Sequence, residues 1–374
     1  CSSATVQLYL KRLGVTAEEG QRALELARTV DSDVCVASAE MVLAAERLCV
    51  GALAAAKTRF DRAVPIMKKK GGPIQAIEAV ASVGMIHAWR LEYNEAHRDL
   101  DWVVKRSREL GACLPLLRSL FFKSMVLGNQ GRLSDAMNAL REGIRLAELN
   151  GERFWLSRLP NTLGWIHREA QDFETAPRLD SENVPLARET GFQEGEANSL
   201  VNLGSDYLSL GEADRAFEHF REAATIYEQD VWFRWRYNTR LQAELARYWI
   251  LQGSLEPATH HATACLTTAK ETQSHKYIAW AHKVRGDIAS LEDRVEDARR
   301  EYGIALQTVD AHPCPTAHWR ILAARADLAR KLKDSAAEDE FRGRAHKVME
   351  VLADSIREEP LRQKFLTSKA IRTL

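Results

Sequence analysis

The sequence predicts an all-α protein, a right-handed α-solenoid of about nine helix-turn-helix repeats with a C-terminal capping helix. Two observations predict it. A six-residue phrase, a turn residue followed five positions on by Ala, recurs at intervals of about 40 residues, a period that marks helical arrays. A second small residue recurs in register before each phrase, often glycine. A mid-helix glycine costs about 1 kcal/mol relative to alanine, so its recurrence implies close helix–helix contact.

Residues 1–30 form an atypical N-terminal cap. Two short helical runs between Val6 and Val30 flank Gly14-Val15-Thr16, with Thr16 expected as N-cap and Glu19 in capping-box position. The inter-helix turns then begin at Gly51, Leu91, Gly131, Gln171, Gly211, Gly253 and Asp293, with a weaker copy at Leu332. They place Ala56, Ala96, Ala136, Ala176, Ala216, Ala258, Ala298 and Ala337 in the second helices. Most copies carry a large residue four positions later, such as Phe60, Leu100, Phe220 and Tyr302. Small and large at i and i+4 share one helical face. The matching small residues of the first helices are Ala44, Gly84, Ser124, Gly164, Gly204, Ala246 and Gly286. Pro185 should kink or break its helix after Asn183, and Pro65 should do the same to an earlier one. Asp180 stands where an apolar residue is expected. The array is read as residues 1–356, and 357–374 as a closing helix and tail, helical near Glu358–Ser368.

These positions resemble the tetratricopeptide repeat, in a long form whose period is near 40 rather than 34. Phrases such as NTLGWIHREAQDFETA and NSLVNLGSDYLSLGEADRA resemble the C-terminal arrays of multidomain bacterial ATPases, nucleotide cyclases and kinases. The resemblance implies a sensor or docking module beside a catalytic domain. Because the chain opens on Cys1 rather than Met, that domain is expected to precede it.

Composition limits the function. Lys plus Arg equals Asp plus Glu at 52 each, which argues against a strongly basic nucleic-acid binder. No apolar run reaches the ~18 residues that span a bilayer, so no membrane partner and a cytoplasmic location are expected. Six scattered cysteines without C-x-x-C spacing read as reduced thiols. GALAAAKT from Gly51 imitates a phosphate-binding loop. It lacks the second glycine and the preceding strand that such a loop requires. His261 and Cys265 are four apart on a helix, yet further zinc ligands are missing. No enzyme, metal or cofactor is expected.

What remains is recognition. By analogy with the tetratricopeptide superhelix, the first helices line the concave surface, at positions six and three before the small residue and one and four after it. That stripe, with its neighbours in adjoining units, gives Arg118, Phe121, Met125, Arg158, Asn161, Trp165, Arg168, Asn198, Ser205, Arg240, Arg247 and Trp280. Arginine offers a planar fork for carboxylate or phosphate, and asparagine pairs with a peptide backbone. The segment Asp230–Tyr237 (DVWFRWRY) is expected to rim the same groove. The partners expected are a peptide, a protein segment or a small anionic ligand. The alternative is a scaffold that self-associates or docks on an attached ATPase or cyclase domain.

Overall fold

The computed structural model describes residues 13–229 and 232–374, and these are helical apart from short turns, with no β-strand. The helices are α1 (Leu13–Thr29), α2 (Asp33–Cys49), α3 (Leu53–Lys70), α4 (Pro73–Arg90), α5 (Tyr93–Leu110), α6 (Cys113–Asn129) and α7 (Leu133–Asn150). Then come α8 (Arg153–Leu156), α9 (Leu159–Glu169), α10 (Thr175–Glu189), α11 (Gln193–Leu210), α12 (Ala213–Tyr227), α13 (Arg234–Leu251) and α14 (Leu255–Glu271). The chain ends with α15 (His275–Leu291), α16 (Val295–Ala311), α17 (Pro315–Lys331), α18 (Ser335–Asp354), α19 (Glu359–Leu366) and α20 (Lys369–Arg372). Neighbours in sequence pack as antiparallel hairpins, and the first helices of consecutive units also touch, α4 on α6, α11 on α13, and α13 on α15. First helices therefore form an inner layer, buried on most sides, whereas second helices bury one face.

The turn chemistry follows the phrase. Gly51, Leu91, Gly131, Gln171, Gly211, Gly253 and Asp293 all adopt positive φ, from 58° to 86°. The next amide reaches five residues back, as in Ala52 to the Arg47 carbonyl at 2.9 Å, which satisfies a helix-end carbonyl. In the last unit the left-handed residue is Lys333 (φ 59°), not Leu332. The register there slips by one, and Ala337 is only half-buried.

The recurrent glycines meet the recurrent large residues. A Cβ on Gly204 would lie 2.3 Å from Phe220, one on Gly286 2.5 Å from Tyr302, and one on Gly84 3.0 Å from Leu100. All three partners are buried, and burying such a side chain contributes roughly 1.5–3 kcal/mol. That gain outweighs the helix cost of one glycine.

Four expectations need correction. Thr16 is no N-cap: α1 is continuous from Leu13 and Thr16 lies buried inside it; the stretch before Leu13 lies outside the described residues. Neither Pro185 nor Pro65 interrupts its helix. Both are exposed, so water can take the carbonyl each leaves unpaired. The break falls instead at Ser157–Arg158, between α8 and α9, where Pro160 sits in the first turn of α9. A proline there cannot donate to the Leu156 carbonyl, and the chain restarts its helix.

The fourth correction concerns shape: no open trough runs along the array. The Trp235 indole N–H donates to the Leu48 carbonyl at 3.1 Å, and the Tyr93 hydroxyl donates to the Pro313 carbonyl at 2.6 Å. Arg320 meets Glu169 at 2.9 Å, and the Arg357 amide donates to Ser134 at 2.9 Å. The superhelix closes on itself, with α19 laid across the seam and Phe365 fully buried beneath it. No helix among the described residues is long and apolar enough to cross a membrane.

Candidate binding chamber

Closure frames a cavity of about 950 Å³ that remains open to solvent. Eleven of the twelve expected residues line it: Phe121, Met125, Arg158, Asn161, Trp165, Arg168, Asn198, Ser205, Arg240, Arg247 and Trp280. Arg118 does not reach it, because Glu78 of the preceding unit holds its guanidinium at 2.5 Å. Of the Asp230–Tyr237 segment, Arg236 and Tyr237 face the chamber and Trp235 is at the seam. Asp230 and Val231 lie outside the described residues.

The break before Pro160 places Arg158. Freed from a continuous helix, its guanidinium lies 4.5 Å from the Phe121 ring and 5.6 Å from that of Phe192, with one N–H donated to the Tyr237 hydroxyl at 3.0 Å.

Asp180 is the hub of the floor. It occupies the position that Phe220 and Tyr302 hold in their units, and its Oδ2 rests 2.6 Å from where a Gly164 Cβ would be. Its Oδ1 accepts Asn161 Nδ2 at 2.7 Å and Asn202 Nδ2 at 2.8 Å. Asn161 Nδ2 also reaches Ser199 at 2.9 Å, and Asn198 donates to Asn161 Oδ1. Arg240 donates to Asn198 Oδ1 at 2.9 Å and also to Asn202. Burial, with Asp206 nearby, pushes the Asp180 carboxyl well above its ordinary range. Asp206 is raised too, chiefly by burial. Arg168 bonds Asp206 at 3.1 Å and Asn202 Oδ1 at 3.2 Å. Burial disfavours its charge, but Asp206, Glu169 and Asp180 outweigh that and hold it protonated. The polar floor is thus tied into one network across three units, which fixes its side chains in place.

The opposite wall comes from the far end of the chain. Trp165 donates to Glu169 at 3.0 Å and lies 4.6 Å beneath Lys276, which itself donates to Asn129 at 3.1 Å. Glu169 is largely buried, yet Arg320, Lys276 and Arg168 pull its carboxyl down to about 2. Arg320 also stands 6.0 Å from the Trp280 ring. Arg247 donates to Ser209 at 3.2 Å, and Ser205 donates to its own helix at Val201. Lys364, from α19, bonds Asp172 at 3.1 Å and Glu174 at 2.8 Å at the rim. Sequence reasoning missed Lys276, Arg320 and Lys364. A period identifies which face a residue takes within its unit, but not which distant units come to oppose it.

Elsewhere the chemistry is quiet. His261 pairs with Gln242 at 2.6 Å and Cys265 is buried. No group of three or more His, Cys, Asp or Glu could hold a metal among the described residues. The five described cysteines are free thiols, and burial pushes Cys265 up to about 12.

Inner first helices and outer second helices around a central chamber define the class: an α-solenoid of paired antiparallel helices. Residues 155–229 match the family model described as "Tetratricopeptide repeat". Human Tetratricopeptide repeat protein 29 is 28% identical over 169 residues, 40% of this chain and 35% of that protein. The chain therefore spans about a third of that relative's length. Among solved structures, a Rap protein complexed with Competence and Sporulation Factor superposes with a TM-score of 0.68 at 14% identity, over 95% of this chain and 100% of that one. Apo RapI gives 0.58 at 15% identity, over 72% and 96%. NprR in complex with its cognate peptide NprX gives 0.52 at 12% identity, over 83% and 92%. At such identities the likeness is one of fold.

Proposed function

We propose that this chain is a non-catalytic recognition module whose chamber binds an anionic peptide segment, as the sensor arm of a bacterial signalling protein. The observation that carries the reading is charge placement. A chain with no net charge lines this 950 Å³ cavity with nine cationic side chains against five carboxylates. Aromatic rings interleave with those cations, which suits an extended segment carrying acidic groups. Two fold neighbours were solved with a factor or cognate peptide bound, which agrees with a peptide as ligand. Because the lining comes from units far apart in sequence, a bound segment would favour the closed superhelix over a more open one and so transmit occupancy.

The test is selection of a displayed random peptide library against the full chain, followed by titration of the selected peptides. Trp165→Ala and Arg240→Ala should each weaken binding at least about ten-fold, a loss of about 1.4 kcal/mol, with light scattering unchanged. Loss of assembly without any change in peptide binding would support the scaffold reading instead.

A further inference from the structure

Four of the nine chamber cations are ion-paired. Arg168 has Asp206, Arg320 has Glu169, Lys364 has Asp172 and Glu174, and Arg247 has Glu244 at 3.4 Å. Arg158 and Arg236 are not. Arg158 donates only to the Tyr237 hydroxyl, and its Nε is buried without a partner. Arg236 donates to the Met125 sulfur at 3.8 Å and lies 5.3 Å from the Trp89 ring. Neither has a carboxylate within ion-pair distance among the described residues.

Both also sit against the same helix. Arg158 stands over Phe121 and Arg236 touches Met125. Those residues are four apart on α6, about 6 Å along the axis at 1.5 Å per residue. Two half-buried guanidiniums against one helix face repel each other, and neither has a counter-charge. Burial, with Arg158 and Arg240 nearby, lowers the pKa of Arg236. Unpaired buried charge is costly, and here it faces an aromatic-walled cavity.

The geometry points to an oxyanion subsite, in which the forks of Arg158 and Arg236 together take one carboxylate or phosphate group of the ligand against Phe121, Trp89 and Tyr237. This deepens the recognition reading and rests on it. Two planar forks can each present parallel N–H donors to an oxyanion, and the anion cancels the repulsion between them.

Calorimetric titration of acetate and of inorganic phosphate into the full chain, at ionic strength fixed with sodium chloride, tests it. One saturable site per chain is expected, weakened at least about ten-fold in Arg236→Met and in Arg158→Met and unchanged in Arg300→Met on the outer face. Tighter acetate than phosphate assigns the subsite to a peptide carboxylate, and the reverse order to a phosphorylated ligand. Arg236→Lys keeps the charge without the fork and should bind at intermediate strength, which guards against a methionine variant that fails to fold. No saturable site in the wild type, or equal binding by wild type and both methionine variants, would overturn the inference. Selected peptides that bind equally well to Arg236→Met would sink the subsite while leaving the recognition reading. Absence of any peptide binding would sink that reading, and the anion titration would still decide the subsite.

Discussion

The indole of Trp235 donates to the carbonyl of Leu48 across 187 residues of sequence. Its ring lies against Gly51, whose added Cβ would come 2.9 Å from Trp235 Cγ, and stands edge-on to Trp89 at 5.4 Å. A turn between two early helices thus receives a side chain from the seventh unit. This seam turns a row of hairpins into a chamber.

Trp235→Phe keeps most of the apolar area and removes the donor. It should cost about 1 kcal/mol in urea denaturation. Gly51→Ala should cost more, because it adds steric overlap to a backbone held at φ 86°.

Glycine substitutions should take opposite signs according to their neighbours. Gly204→Ala puts a Cβ 2.3 Å from Phe220 and should destabilise by about 1–3 kcal/mol. Gly303 lies in α16 with nothing within 4 Å; Gly303→Ala should stabilise by up to about 1 kcal/mol. Paired urea melts check both.

Acid and base should act on different parts of the ring. The Asp180 carboxyl is held above its ordinary value of 3.8, so its contribution is greatest below that pH and is lost as pH rises. Asp180→Asn should flatten the fall in stability above pH 4. His275, half-buried and stacked on His312 at 3.4 Å between ring centres, is lowered by burial and His312 from 6.5 to about 4. Its contribution is present above pH 6.5 and lost as pH falls toward 4; His275→Gln should remove that loss. Denaturation midpoints from pH 4 to 8 separate the two.

Phe365→Ala should cost about 3–5 kcal/mol, because its ring is fully buried where α19 covers the seam. Thermal melts read the loss, and faster hydrogen exchange in α7 and α10 would accompany it.

Much of the fold was legible in the sequence because each unit repeats a local rule. The turn at Gly131, the notch at Gly286 and the ring of Tyr302 that fills it all follow from positions within one period. Residues such as Asn161, Trp165 and Arg240 were found by the same rule, since a helical stripe faces one way. The break before Pro160 was missed because attention to Pro185 and Pro65 treated interior prolines alike. Exposure, not mere presence, decides whether proline disrupts a helix. Arg118 was misplaced since the rule for a face ignores Glu78 one unit away. Closure was not legible at all. It depends on small rotations summed over several units, and no single repeat carries that sum.

The most direct measurement is a crystal structure of the chain with a library-selected peptide. The account predicts peptide density inside the chamber, in contact with Asn161, Trp165 and Arg240, with an acidic group between Arg158 and Arg236. A peptide seated on the outer second helices, with the chamber unchanged, would contradict it.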